Sequence, residues 1–451
     1  MTQNLASVAC ADPDMAQDRL SSGKPSRIDV SEDVSQDAGQ NEMRQNSPER
    51  LACTRLTLSH YRCYEHLRLQ PGTDPVVLTG ANGAGKTNVL EALSYLVPGS
   101  GLRRAKLSDL GRRTPGGSPD QGPWGSESRG EKPGTSGFDA AVAAWAVAAE
   151  IGGGRGSVSL GTGMEPGHGT KRVVHVDGAV QRAVSVLADH FAVHWLTPQM
   201  DRLFLDGSQE RRRFLDRLVF AFDPAHAGRI TAYNHALRER ARLLMDARQG
   251  QGRLDETWLS ALEDTMATRG MAVAAARLAI AERLAGAAQQ AVGPFPAGRL
   301  AIDGLAEGWL MSLPALEVED RLRTALKGTR GGDGGALAGG RLPHQSDLVV
   351  THVEKAMPAG QCSTGEQKML LVGLVLAAAR LSATDEDRVP VLLLDEVAAH
   401  LDAPHREALF GEVLELGCQA WFTGTDPELF DPLSNQARFY SLADGQIVDE
   451  C

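Results

Sequence analysis

Eight consecutive residues, Gly80-Ala81-Asn82-Gly83-Ala84-Gly85-Lys86-Thr87, fit the pattern G-x-x-x-x-G-K-[ST] without a mismatch. That spacing suits phosphate chemistry. Glycines let backbone N–H groups converge on phosphate oxygens because no side chain blocks the approach. A strand-like stretch, Pro75–Thr79, runs into the turn, and the helically spaced NVLEALSYLV leaves it. The turn therefore falls at a helix N-terminus, whose partial positive charge favours anions. In this context Lys86 reaches the β- and γ-phosphates and the Thr87 hydroxyl ligates magnesium, so ATP and Mg are the expected cofactors. A glycine-rich turn without a ligand is the competing reading, and the flanking strand and helix argue against it.

A second run, Val391-Leu392-Leu393-Leu394-Asp395-Glu396, reads as a buried strand that presents two acids at its C-terminal edge, where ligands bind in open α/β sheets. Asp395 is expected to hold the metal through water, and Glu396 to orient or polarise the attacking water. Alone, the run is equally a strand end followed by an acidic turn; beside the phosphate loop it reads as catalytic. About 30 residues earlier, Cys362-Ser363-Thr364-Gly365-Glu366-Gln367-Lys368 precedes a long apolar helix. This heptapeptide resembles the signature S-x-G-[EQ] of ABC ATPases, in which Ser363 and Gly365 would bind the γ-phosphate held by a second subunit. Ser363 followed by Glu366 is also a helix-capping box, and the two readings are compatible. His400-Leu401-Asp402 is similar to the D-loop of the same ATPases, which lies across the dimer interface and puts Asp402 near the nucleotide.

The order of these motifs is that of an ABC ATPase, but the spacing is not a transporter's: about 276 residues separate Thr87 from Ser363. A long helical insertion there resembles the SMC-like branch, and its modest length points to a short-armed member. SHYRCYEHLRL, GANGAGKTNVLEAL, LTPQMDRLFLDGSQERRRFLDRL and VLLLDEVAAHLD together resemble the RecF family over residues 51–451. The resemblance implies recombinational repair, replication-fork maintenance and SOS induction. It also implies binding of single-stranded or gapped DNA, an ATP-dependent homodimer, RecO and RecR type mediators, and slow ATP hydrolysis in a cytoplasmic protein. Gln199 occupies the Q-loop position where the family more often has an acid. No histidine follows Trp421-Phe422, where transporters carry a switch residue; Thr423, Thr425 or Asp426 is the candidate replacement. The alternatives are an SMC-like chromosome-organising ATPase, disfavoured by arm length, and a transporter ATPase subunit, disfavoured by the insertion.

The elements that must position these residues belong to an α/β chain, an ABC-type P-loop ATPase head with an inserted helical, short antiparallel coiled-coil-like lobe. Residues 1–50 are polar and poor in aromatics, the composition of a disordered tail. The head spans 51–200 and 341–451, with a Gly/Pro/Ser-rich insertion at 111–137. The helical lobe takes 201–326, and 327–340 is a glycine-rich connector. Within the lobe, Ile230, Tyr233, Leu237 and Leu244, then Leu259, Leu262, Met266, Val273 and Ile280, fall at heptad-like spacing, with Arg240 interrupting. They predict either an antiparallel arm of about 50 Å or an ordinary packed helical subdomain.

Of 451 residues 42% are hydrophobic, enough for a core, and the net charge is −11. Any contact with DNA must then come from local basic surface. Two clusters are candidates: Arg103, Arg104, Lys106, Arg112 and Arg113, and Arg211, Arg212, Arg213 and Arg217. A solvated or salt-bridged face is the competing reading for both. No run of about 18 apolar residues predicts a membrane span, and the N-terminus has no apolar signal core. Six cysteines form no C-x-x-C pair, as expected for free thiols in a reducing compartment.

Overall fold

Runs that are apolar at every position, not at alternate ones, require a sheet covered on both faces. The computed structural model describes residues 49–112, 144–153, 156–165, 171–250, 254–288, 293–330, 341–385 and 388–450. Residues 1–48 of the expected N-terminal tail and most of the 111–137 insertion lie outside the described residues; the tail's last two residues, Glu49–Arg50, instead form a strand paired with Arg388–Val389, so ordered chain begins before residue 51.

After β1 (Glu49–Arg50), the chain folds back in an antiparallel pair, β2 (Ala52–Tyr61) and β3 (Tyr64–Leu69). Leu56 stands opposite Leu69 and Leu58 opposite Leu67, all four buried. β4 (Val76–Thr79) then leads through the glycine turn into α1 (Lys86–Ser94). Strands β5 (Trp145–Gly153), β6 (Gly156–Met164), β7 (Val173–Val176) and β8 (Ala179–Gln181) extend the first pair into an antiparallel sheet of order β3-β2-β5-β6-β7-β8. β7 turns into β8 at Asp177-Gly178, with φ of 48° and 78°, the conformation a tight hairpin requires.

β9 (Val193–Leu196) precedes α2 (Ser208–Phe220), α3 (His226–Arg248) and α4 (Glu256–Ala288). β10 (Gly298–Asp303), α5 (Leu305–Leu310), α6 (Ala315–Gly328), β11 (Asp347–His352) and β12 (Met357–Pro358) follow. The chain returns to the head with α7 (Thr364–Asp385), β13 (Arg388–Val389), β14 (Val391–Leu394), α8 (Ala403–Leu416) and β15 (Ala420–Gly424). It ends in β16 (Arg438–Ala443) and β17 (Gln446–Glu450).

The central sheet has the order β17-β16-β4-β15-β14-β9, parallel except for β17. Successive residues of its strands enter different cores. Val76, Leu78, Val391, Leu393 and Trp421 face α1 and the antiparallel sheet. Val77, Leu392, Leu394, Ala420 and Phe422 face α7, α2 and α8. Double burial explains why these strands read as continuous apolar runs. α7 is the one described helix long and apolar enough to cross a bilayer, and 78% of its apolar window is buried inside the fold.

The lobe is built on a helical hairpin packed into the rest of the fold. Tyr233 packs against Gly270 and Arg240 bonds Glu263, a register that makes α3 and α4 antiparallel. Helix α6 then closes the pair. Val318, Leu322 and Leu326 join Met266 and Ala267 in a separate core, and Arg323 bonds Asp264 at 2.6 Å. The deeper half of α4 (Ile280, Ala281, Leu284) belongs to the head's core. The hairpin is thus a braced lobe, not a free arm. Arg240 interrupts the apolar repeat because it is itself a core residue: it meets the fully buried Glu263 at 3.1 Å and the Leu326 carbonyl at 2.7 Å. One boundary and one element differ from expectation. α6 runs to Gly328 and Arg330 pairs with Glu263, so ordered chain extends past residue 327. The 201–326 stretch also contains β10, whose antiparallel partner β11 lies some fifty residues onward, out of range of local pattern.

Candidate nucleotide-binding site

The C-terminal ends of β4, β14, β15 and β9 lie side by side, and each delivers residues to one edge of the sheet. β4 delivers the glycine turn. Gly80 (φ 141°) and Gly85 (φ 109°) adopt backbone conformations that L side chains rarely take. Crowding adds a second reason: a Cβ at Gly80 would strike the Leu442 carbonyl, and one at Gly85 the Tyr64 hydroxyl. The Lys86 ammonium donates to the carbonyls of Gly80 (2.6 Å) and Ala81 (2.9 Å), so the turn curls round it. Burial lowers the Lys86 pKa below its ordinary value, while Glu396 and Asp395 pull it back up.

Four groups from three strands meet behind the turn. The Thr87 hydroxyl donates to Asp395 Oδ1 at 2.8 Å. The Thr423 hydroxyl donates to the same oxygen at 2.8 Å and accepts the Glu396 N–H at 2.9 Å. Burial raises the Asp395 pKa above its ordinary value; the hydroxyls of Thr87 and Thr423 and the charge of Arg103 oppose this, and Glu396 adds to it. Glu396 has φ of 54°, in the left-handed region where a residue with a Cβ is strained. Such strain persists only where the surroundings hold it, and here Thr423 does so.

These residues suit Mg-ATP. The cradle admits only glycine at two positions, a hydroxyl and a carboxylate share one oxygen contact where a hydrated cation would sit, and an ammonium occupies the mouth. Among the described residues no group of three or more His, Cys, Asp or Glu is arranged to hold a metal alone.

Of the three candidates for the switch position, Thr423 enters this cluster. The Asp426 side chain instead caps the next turn, accepting the Glu428 N–H at 3.0 Å, and Thr425 is exposed. Gln199 follows β9, beside β14, and is exposed on a neighbouring cavity.

Ser363, Gly365 and Asp402 stand apart from the turn. Ser363 precedes α7; its N–H donates to Glu366 Oε2 at 3.0 Å, and its hydroxyl accepts the Glu366 N–H at 3.4 Å, a closed capping box. Lys355 and then Ser363 hold the Glu366 carboxyl down to about 2. Ser363, Thr364 and Gly365 are exposed, and while the Glu366 N–H is taken by the Ser363 hydroxyl, the Thr364 and Gly365 N–H groups at the start of α7 face an outside anion. Asp402 caps α8, accepting the His405 N–H at 3.0 Å, and its side chain is 64% exposed.

The basic candidates divide. Arg211 forms a two-bond pair with Asp347, at 2.7 and 2.8 Å. Arg212 donates to Ser208 Oγ (2.9 Å) and the Ser346 carbonyl (2.6 Å). Arg217 lies 4.2 Å over the Trp195 ring. These three hold the lobe to the head and do not form an exposed stripe, because α2 packs its arginine face against β11 and β9. Arg104 and Arg213 share Glu210, and Arg112 pairs with Glu65. Arg103 and Lys106 are exposed and form no ion pair with a described residue, although Arg103 donates to Asn88 at 3.0 Å. Arg113 lies outside the described residues.

Comparison with known proteins adds the context. A family model described as an AAA domain matches residues 55–121. A relative from Caulobacter vibrioides, the DNA replication and repair protein RecF, is 46% identical over 400 residues, covering 87% of this chain and 97% of its own. The RecF protein of Mesorhizobium japonicum is 43% identical over 403 residues, covering 89% and 98%. A solved structure of the recombination mediator protein RecF-ATPrS in the RecFOR pathway aligns with a TM-score of 0.72 at 19% identity, over 90% of this chain and 99% of that one. At that identity the likeness shows the fold alone.

Proposed function

The chain belongs to the RecF family of DNA replication and repair proteins, and from that premise we propose that it is an ATP-driven DNA-binding protein of recombinational repair and replication maintenance. It binds single-stranded or gapped DNA as a homodimer closed round two ATP molecules. With RecO and RecR type mediators it assists recombinase loading and SOS induction in the cytoplasm. The observation that carries the reading is the meeting of Thr87, Asp395, Thr423 and Glu396 behind the glycine turn, while Ser363 and Gly365 remain exposed. One chain therefore holds a nucleotide on one surface and offers an open helix start on another. That asymmetry suits a dimer in which each copy completes its partner's site.

In this reading Lys86 exchanges its carbonyl contacts for phosphate oxygens, and the glycine turn supplies backbone N–H groups. Magnesium, when bound, neutralises phosphate charge. Thr87 and Asp395 are the chain's groups for orienting it. Glu396, aimed by the Thr423 contact, accepts a proton from the attacking water. Hydrolysis is slow because a neutral hydroxyl at Thr423 stands where an imidazole would stabilise charge. Arg103 and Lys106 are the exposed cations for DNA phosphates, with Arg104 and Arg213 available once Glu210 yields them.

The test compares the wild-type full chain with Lys86→Met in ATP affinity and in ATP-dependent retention on gapped DNA. Loss of both in a folded K86M chain is expected. ATP-dependent DNA retention that persists in K86M would contradict the reading.

A further inference from the structure

A cavity of about 380 Å³ lies where the lobe meets the head, and the nucleotide cluster does not explain it. Neither the glycine turn, Asp395, Glu396 nor Thr423 lines it. Its walls come from the loop after α1, the end of β9, and helices α2, α3 and α4. Its volume is in the range of small-molecule sites, about 300–1,000 Å³.

The charges of the lining do not balance. Five guanidinium groups face it, those of Arg104, Arg212, Arg213, Arg217 and Arg277, against three carboxylates, Asp206, Glu210 and Asp216. Asp216 is fully engaged by Arg277, at 2.7 and 2.8 Å. Glu210 is shared by Arg104 and Arg213, and Asp206 is 3.7 Å from Arg202 on its own turn. Neither Arg212 nor Arg217 forms an ion pair with a described carboxylate, although Asp347 and Asp216 act on Arg212 from beyond contact distance. Arg212 has only the neutral oxygens of Ser208 and Ser346. Arg217 has Met200 Sδ at 3.6 Å and the faces of Trp195 and Phe214, and its buried Nε has no hydrogen-bond partner. Burial brings the Arg217 pKa down to about 9, still leaving it charged at neutral pH.

Arg217, held in an apolar setting with no counter-ion beside a half-buried Arg212 bonded only to neutral oxygens, is costly unless an anion joins it. The same cavity offers Phe220 and Tyr233 as apolar, aromatic wall, too much for a bare phosphate. We propose that this cavity is a second anion site, built for a nucleoside 5′-phosphate, with Arg212 and Arg217 receiving the phosphate and the aromatic wall receiving the base. Either a free nucleotide or the 5′-phosphorylated end of a DNA strand presents that group. Because the cavity is walled by both lobe and head, its occupant would tie the two together.

The experiment uses the full chain carrying Lys86→Met, so that the glycine turn contributes no nucleotide binding. Calorimetric titration with dAMP, deoxyadenosine and a 5′-phosphorylated oligonucleotide is repeated in Arg217→Met, Arg212→Gln and Asn234→Trp backgrounds. Asn234 is an exposed lining residue, so N234W obstructs the cavity without removing a cation or disturbing a core. Binding of dAMP but not deoxyadenosine, weakened about tenfold or more by each substitution, is the expected result for a free nucleotide. Binding by the phosphorylated oligonucleotide alone, with the same three sensitivities, assigns the site to a strand end. Absence of binding by both phosphates, equal binding of deoxyadenosine, or indifference to N234W overturns the proposal.

Discussion

Replacing Thr423 with valine keeps the volume of a fully buried side chain while removing its hydroxyl. Two hydrogen bonds go with it: the one to Asp395 Oδ1 at 2.8 Å and the one from the Glu396 N–H at 2.9 Å. A hydrogen bond to a charged group is worth about 1.5–3 kcal/mol, and a buried N–H left without a partner costs about 1–3 kcal/mol. The glycine turn and Lys86 are untouched, so ATP affinity measured without metal should stay near the wild-type value. What is lost is the hold on Glu396, whose left-handed backbone depends on that contact. If about 2–3 kcal/mol of the total falls on the hydrolytic step, the single-turnover rate drops about 30- to 160-fold. The pH profile adds an independent sign. Thr423 lowers the Asp395 pKa, which burial has already raised. Its removal raises that pKa further, so the acid limb of hydrolysis moves to higher pH. Thr423→Ser restores the hydroxyl and should recover most of the rate. A T423V chain that hydrolyses ATP within about twofold of wild type, or a T423S chain as slow as T423V, would refute the reasoning.

Two further predictions follow from other parts of the structure. Ser363→Arg places a cation at the open start of α7; monomer ATP binding should persist while ATP-dependent dimerisation, read by sedimentation velocity, disappears. Asp216→Asn breaks a buried contact to Arg277 and His226 and should destabilise the chain by about 3–5 kcal/mol in chemical denaturation. Burial pushes the Asp216 carboxyl up, but Arg277 and His226 outweigh it and hold it at about 2. Its stabilising contribution is therefore present above the ordinary Asp value near 4 and fades as pH falls towards 2. D216N should lose that part of the acid dependence.

Local pattern sufficed where a single segment carries the information. The glycine turn, the all-apolar β14 and the capping box at Ser363 each depend on residues within one short stretch. Arg211, Arg212 and Arg217 show where pattern fails. As a sequence they are a basic run, yet their partners, Asp347, Ser346 and Trp195, lie far along the chain or on a neighbouring strand. Whether an arginine is surface or mortar depends on those partners. Arg240 is similar: it breaks a heptad on paper and completes a buried pair in the fold. Thr423 is one of three candidates because the end of β15 and the loop after it give no local sign of which side chain turns towards Asp395. The parallel pairing of Leu394 with Phe422 decides it.

The most direct measurement is sedimentation of the full chain with ATP, magnesium and a gapped DNA, comparing wild type with Glu396→Gln and Asp395→Asn. The carboxamide of E396Q keeps the shape of the site but cannot accept a proton, so ATP should remain intact and the protein should persist as a DNA-bound dimer. D395N removes the charge beside Thr87 that the proposed mechanism uses to orient the metal, so no such accumulation should occur. A long-lived dimer on DNA in E396Q, absent in D395N, is the predicted outcome. A chain that stays monomeric with ATP and gapped DNA in all three forms would contradict the account.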